Sequence, residues 1–251
     1  EDKGRDDVTR GLDCVVAVRL QGVAMFGSAS PTPYDLRFAI GRIPVRVHPL
    51  FWLLSALLGW SGPDLRGTLL WVLCVFLSVL IHELGHAWTA QAYGLRPQIV
   101  LHAFGGYAAY QGTERQSAWQ RILILIAGPA AGFALCALAI LARFTLEASP
   151  RTSTILADQP LLVLGLAHLV YINLWWGLLN LLPIYPLDGG QIARELFRLW
   201  SPWHGLRWSL CLSLVCGGLL AFYFFNRNQH FTGLLFASMA FESLQSLQAD
   251  H

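Results

Sequence analysis

The chain has 251 residues, 55% of them hydrophobic and only 13% charged, with ten Trp and a formal net charge of +2. So apolar a composition excludes an ordinary soluble globule and fits a multi-pass membrane protein. The small net charge, with no basic patch interleaved with aromatics, excludes a nucleic-acid partner.

Charge is concentrated at the start. Nine of the first 19 residues are charged, against 23 of the remaining 232, and Met25 is one of only two methionines. No apolar core of secretory type follows this stretch. Residues 1–24 are therefore expected to be a charged N-terminal extension that is not native, with Met25 the natural start.

Six apolar segments follow, at 49–60, 68–94, 118–142, 160–182, 208–225 and 231–247. A full span needs ~20 residues, so the first and last are short. The expected fold is an α-helical multi-pass membrane protein with about six transmembrane helices. Between the second and third segments, Ile99-Val100-Leu101, Gly105-Gly106 and Tyr107–Tyr110 predict a short membrane-associated β-hairpin. Between the fourth and fifth, the apolar positions 192, 196, 199 and 200 predict an amphipathic helix. Its opposite face carries Gln191, Arg194, Glu195 and Arg198, as expected of a helix lying on the membrane surface.

If the segments alternate, nine arginines fall on one side (37, 42, 46, 96, 115, 121, 194, 198, 207) and four on the other (66, 143, 151, 227). The positive-inside rule places the first side in the cytoplasm. The five cysteines form no C-x-x-C pair and are read as small core hydrophobes.

The second segment holds His82-Glu83-Leu84-Gly85-His86, and Glu83 is the only formally charged residue from Gly67 to Tyr93. Residues four apart share a helix face, so His82 and His86 can each give a ring nitrogen to one zinc ion. Glu83 is too close in sequence to join easily as a third ligand, but can take a proton from water. An ionisable group inside a membrane segment costs roughly 2.5–3.5 kcal/mol on insertion scales, which argues for a role. Under the arginine topology the motif lies toward the cytoplasmic leaflet.

Two histidines leave a catalytic zinc site one protein ligand short. Candidates are His102 in the hairpin, His168 inside the fourth segment, His204 after the amphipathic helix, and Asp188 after the fourth segment. Asp188 is favoured over His168 on position, since Pro183 and Pro186 break the helix there and Gly189-Gly190 permits a tight turn. Asn173 and Asn180, seven apart, share a face and are expected to bond across helices or line a wet cavity. Gly128-Pro129 in the third segment reads as a kink or a close helix contact.

Taken together, these residues resemble the site-2 protease family of intramembrane zinc metalloproteases. The matching features are His82-Glu83-Leu84-Gly85-His86, Ala127-Gly128-Pro129-Ala130, and Asn180-x-x-Pro183-x-x-x-Leu187-Asp188-Gly189. The likeness covers roughly residues 43–200. It implies a six-span core with a cleft open to the cytoplasm, one Zn2+ held by His82, His86 and Asp188, and Glu83 as general base. It also implies that Asn180 stabilises the oxyanion, and that the hairpin with Gly105 and Gly106 binds an extended substrate by strand addition. The expected domain is a single intramembrane metalloprotease unit over 25–251, with no PDZ or CBS domain.

The resulting expectation is a zinc endopeptidase of the prokaryotic cell membrane, acting in regulated intramembrane proteolysis. Its partners are a transmembrane protein substrate and the lipid bilayer. A membrane zinc transporter and an inactive membrane scaffold are the alternatives. A transporter usually spreads its ligands over several helices at mid-membrane.

Overall fold

A computed structural model describes residues 31–60, 62, 64–103, 105–111, 116–148 and 158–249. The charged stretch 1–24 lies outside the described residues. The element order is β1 (Leu36–Ile40), β2 (Ile43–Val47), α1 (Pro49–Leu58), α2 (Leu65–Ala92), β3 (Arg96–His102), β4 (Gly105–Gln111) and α3 (Ala118–Ala148). Four more helices follow: α4 (Pro160–Asn180), α5 (Asp188–Trp200), α6 (Gly205–Asn226) and α7 (His230–Ala249).

The helices begin where the chain supplies acceptors for their first N–H groups. Asp64 caps α2 by accepting from the Arg66 N–H at 3.1 Å. At α3, Ser117 and Gln120 form a reciprocal capping box, with 2.8 and 3.2 Å bonds. Pro49 and Pro160 open α1 and α4, where a missing N–H costs nothing.

Among the described residues four helices, α2, α3, α4 and α6, are long and apolar enough to cross a membrane. That is two fewer than the six segments suggested. With ten residues, α1 reaches about 15 Å, half of a ~30 Å hydrocarbon core. α7 has 20 residues, but Ser238, Glu242, Ser243, Gln245 and Ser246 dilute its apolar content. It pairs with α6, where Phe224 and Phe236 stack at 5.5 Å.

The expected hairpin is half of a larger sheet with strand order β1-β2-β3-β4. β1 and β2 are antiparallel, β2 and β3 parallel, and β3 and β4 antiparallel, with His102 opposite Gly105. The period-2 alternation of Ile43, Val45 and Val47 inward against Pro44 and Arg46 is the signal for β2 that a search for long apolar runs passes over. Ile43, Val45, Val47, Ile99 and Leu101 pack on Phe51, Val79, Leu80, Leu84 and Ala87. The sheet therefore rests on the turns of α2 that carry His82 and His86.

At mid-bundle the Asn173 amide donates to Ser78 Oγ and to the Leu169 carbonyl, both at 2.8 Å, joining α4 to α2. The expected cross-helix role of Asn173 is thus realised one turn below His82. Asn173→Leu should destabilise the helix bundle by about 0.6–1.7 kcal/mol, the measured span for such bonds in membranes. Unfolding by denaturing detergent would check this. Cys74 and Cys136 are buried as expected, but Cys211 is exposed on α6.

Candidate metal centre

The metal-ligating side chains come together at the meeting of α2, α3 and α5. His82 and His86 lie one turn apart on α2, and both are buried. Asp188 is the first residue of α5 and is also buried. Ligand atoms of these three residues all lie within 4.8 Å of one another, the one such group among the described residues.

The spacing fits a single small cation. His82 Nε2 and His86 Nε2 are 3.1 Å apart, and Asp188 Oδ2 is 3.2 Å from the first and 3.4 Å from the second. Ligands at ~2.0–2.1 Å from a tetrahedral zinc are separated by about 3.3 Å. Asp188 Oδ2 is buried with no hydrogen-bond partner, as an atom awaiting a metal would be. Burial alone would push the Asp188 carboxyl upward, but the two imidazoles facing it hold it well below the usual carboxylate range.

The His86 ring is oriented by α3. Its Nδ1 is 2.7 Å from the Ile124 carbonyl oxygen. A carbonyl only accepts, so Nδ1 carries the proton and Nε2 is left with its lone pair toward the cluster. Gly128, one turn further along α3, makes room for the ring: a Cβ there would fall on His86 Nε2 and Cε1. Of the two readings for Gly128-Pro129, the close helix contact is realised. His82 Nδ1 has no hydrogen-bond partner among the described residues.

Asp188 is placed by the segment between α4 and α5. Ile184 and Leu187 are buried against α6 and α7, and the Tyr185 N–H donates to Ser213 Oγ on α6 at 3.0 Å. Gly189 and Gly190 do not form the expected turn. Both are helical, in the first turn of α5, and a Cβ on either would strike the backbone of Leu181 or Ile184. Their role is close approach, which lets the helix start directly beneath its own lead-in and point Asp188 at the histidines.

Glu83 is buried beside the cluster, under the start of β4. A Cβ at Gly106 would lie 2.6 Å from Glu83 Cγ and 2.8 Å from its Oε1. Gly105, at φ +126°, a conformation that favours glycine, lies against the Trp176 ring, 3.0 Å from Cζ2 to where a Cβ would be. Asn180 ends α4, buried, with its amide donating to the Trp176 carbonyl at 2.9 Å.

The other candidate histidines lie elsewhere. His168 packs edge-on against Trp71 at 5.1 Å, His102 lies near Tyr107, and His204 stacks on Trp208. The amphipathic helix is present, but part of its polar face turns to protein. Gln191 and Glu195 are buried against the protein, while Leu196, Leu199 and Trp200 are exposed. Gln191 donates to the Pro186 carbonyl and Glu195 pairs with Arg121, while Arg198 stays exposed. Arg121 carried no signal in sequence beyond its charge.

Residues 70–204, the stretch that holds this cluster, match peptidase family M50. The chain is 29% identical over 188 residues to stage IV sporulation protein FB of Bacillus subtilis, covering 70% of this chain and 57% of the relative. It is 32% identical over 169 residues to a zinc metalloprotease of Methanocaldococcus jannaschii, covering 65% and 45%. The chain thus spans about half the length of these relatives. The fold resembles the site-2 protease structure from Methanocaldococcus jannaschii, with a TM-score of 0.54 at 22% identity over 85% of this chain and 95% of that one. Four apolar helices, a buried His-His-Asp group suited to zinc and this match place the chain among metalloproteases and not among transporters. It belongs to peptidase family M50, the site-2 protease family of membrane zinc metalloproteases.

Proposed function

We propose that the protein is an intramembrane endopeptidase that cuts transmembrane or membrane-proximal segments of other membrane proteins, in regulated intramembrane proteolysis. His82, His86 and Asp188 are the zinc ligands and Glu83 is the general base. The observation that carries this reading is the convergence of three buried ligand atoms at tetrahedral spacing, with His82, His86 and the buried Glu83 carboxylate on a helix long enough to span a bilayer and Asp188 brought in by α5.

Zinc bound there would supply a Lewis acid for the scissile carbonyl and for water. Glu83 accepts the proton from the attacking water and returns one to the leaving amine. Asn180 spends one amide hydrogen on Trp176 and keeps a second to donate to the carbonyl oxygen as charge builds on it. Gly106 presents backbone without a side chain next to Glu83, as Gly105 does next to Trp176, and β4 is an edge strand of the sheet. A substrate helix shields its peptide bonds with its own hydrogen bonds, so it must unwind. Pairing with β4 gives the extended stretch new partners. Four spans alone do not preserve the arginine count, but β2 pairs with β3 and so keeps Arg37, Arg42 and Arg46 on the side of Arg96, and the arginine excess on that side supports a site facing the cytoplasm. The single domain over 25–251 is part of the same reading.

The test uses purified protein in lipid nanodiscs with a reporter transmembrane substrate. Wild type should cleave it and lose cleavage when a chelator strips zinc. Asp188→Ala should lose zinc by more than the ~10–100-fold of an outer-shell change, and cleavage with it. Full zinc occupancy in Asp188→Ala would remove the aspartate from the ligand set.

A further inference from the structure

Arg121, part-buried, and Glu195, buried, form an ion pair outside the metal cluster. Arg121 Nε and Nη2 both donate to Glu195 Oε2, at 2.9 and 2.6 Å, and Nη1 donates to the Gln116 carbonyl at 2.6 Å. All three guanidinium nitrogens are therefore engaged, and the Glu195 side chain is 2% exposed. With Arg121 28% exposed and Glu195 buried, desolvation of the carboxylate offsets much of the attraction, so such a pair is seldom worth more than a well-packed apolar replacement. Its value lies in what it holds in register.

The two residues belong to the two helices that complete the site begun on α2. Arg121 is in the first turn of α3, one turn before Ile124, whose carbonyl orients His86. Glu195 is on α5, two turns after Asp188 and on the same edge. The outer face of α5 is apolar and exposed at Leu196, Leu199 and Trp200. Lipid contact on that face is non-directional and sets no register along α3. A directional bond on the inner face does.

We infer that the Arg121–Glu195 pair is a positioning device for the metal site, locking the helix that orients His86 to the helix that presents Asp188. The inference rests on the reading of His82, His86 and Asp188 as zinc ligands. It predicts that either partner tunes metal affinity without touching the metal, as outer-shell partners do.

The experiment compares the full chain with Arg121→Gln, Glu195→Gln, the double variant, Asp188→Ala and Ile172→Ala in nanodiscs. Ile172 is buried on α4 and serves as a packing control. Zinc affinity is read by competition with a chromophoric chelator, ligand geometry by the visible spectrum of the cobalt(II)-loaded protein, and folding by thermal melts. Each single variant should bind zinc ~10–100-fold more weakly, with an altered cobalt spectrum. The double variant should be no worse than the weaker single, because the two side chains act as one unit. Ile172→Ala should melt earlier yet keep affinity and spectrum. Wild-type affinity and spectrum in both single variants would overturn the inference. An equal loss of zinc in Ile172→Ala would also overturn it, since general destabilisation would then suffice. Asp188→Ala separates the two levels: if it binds zinc like wild type, the ligand assignment fails first and the inference falls with it.

Discussion

Glu83→Gln should keep its zinc and lose cleavage. Glutamine matches the shape of glutamate but cannot accept a proton from water. Glu83 lies outside the His82, His86 and Asp188 group, so the variant leaves every proposed metal ligand in place. Losing a positioned general base costs typically 10²–10⁴-fold in rate. Its setting makes substitution by a neighbour or by bulk water ineffective. Glu83 is buried, with the backbone of Gly106 packed over its side chain. Zinc content by elemental analysis and single-turnover cleavage of the reporter substrate would be measured on the same preparation. Cleavage within a few-fold of wild type would mean that another group takes the proton. Zinc loss alongside activity loss would mean that Glu83 helps hold the metal.

Gly128→Ala should cost most of the zinc affinity although Gly128 touches no metal. A Cβ at this position would lie 2.7 Å from His86 Cδ2 and closer still to Cε1 and Nε2. α3 is 31 residues long and packed on both α2 and α4, so its backbone cannot easily give way. The imidazole is the movable part. Turning it aside breaks the 2.7 Å bond from Nδ1 to Ile124 and swings Nε2 out of the cluster. The expected loss in zinc affinity is at least the ~10–100-fold of an outer-shell defect. Alanine is the better helix former by about 0.8–1.0 kcal/mol, which offsets the about 0.5–1.5 kcal/mol of the broken His86–Ile124 bond. The zinc-free variant should therefore melt close to zinc-free wild type. That pairing of near-wild-type apo stability with weak zinc binding separates a displaced ligand from a damaged fold. Wild-type zinc affinity in Gly128→Ala would show that the ring can tilt and still coordinate.

Much of the metal centre was legible in local sequence, because its chemistry is written in short range. His82, Glu83 and His86 sit on adjacent helix faces by the 3.6-residue repeat alone. Zinc needs a third protein ligand, and the proline-broken end of the fourth segment offered Asp188. The helices that can span a membrane were legible for the same reason: their length and apolar content are local properties. Sequence also marked Gly128 as a point of close helix approach. It could not say that the neighbour would be the ring of His86, because that pairing depends on how α3 crosses α2.

The remaining features depend on long-range packing, which a one-dimensional pattern does not carry. Gly189 and Gly190 suggest a turn by residue type, yet they serve as a flat surface on which α5 starts against its own lead-in. The amphipathic pattern of α5 correctly predicts a helix, but cannot tell water from protein as the partner of its polar face. Arg121, 74 residues before Glu195, decides it. β1 and β2 are five residues each, too short for a run of apolar residues, and become strands by pairing with each other and with β3. The sequence by itself determined the candidate ligand types, the carboxylate proposed as base and the apolar helices, since these follow from side-chain chemistry and helical period. Only the tertiary structure decided how the third ligand is aimed, which carbonyl turns His86 and which strand lies over Glu83, since each is a contact between residues distant in the chain.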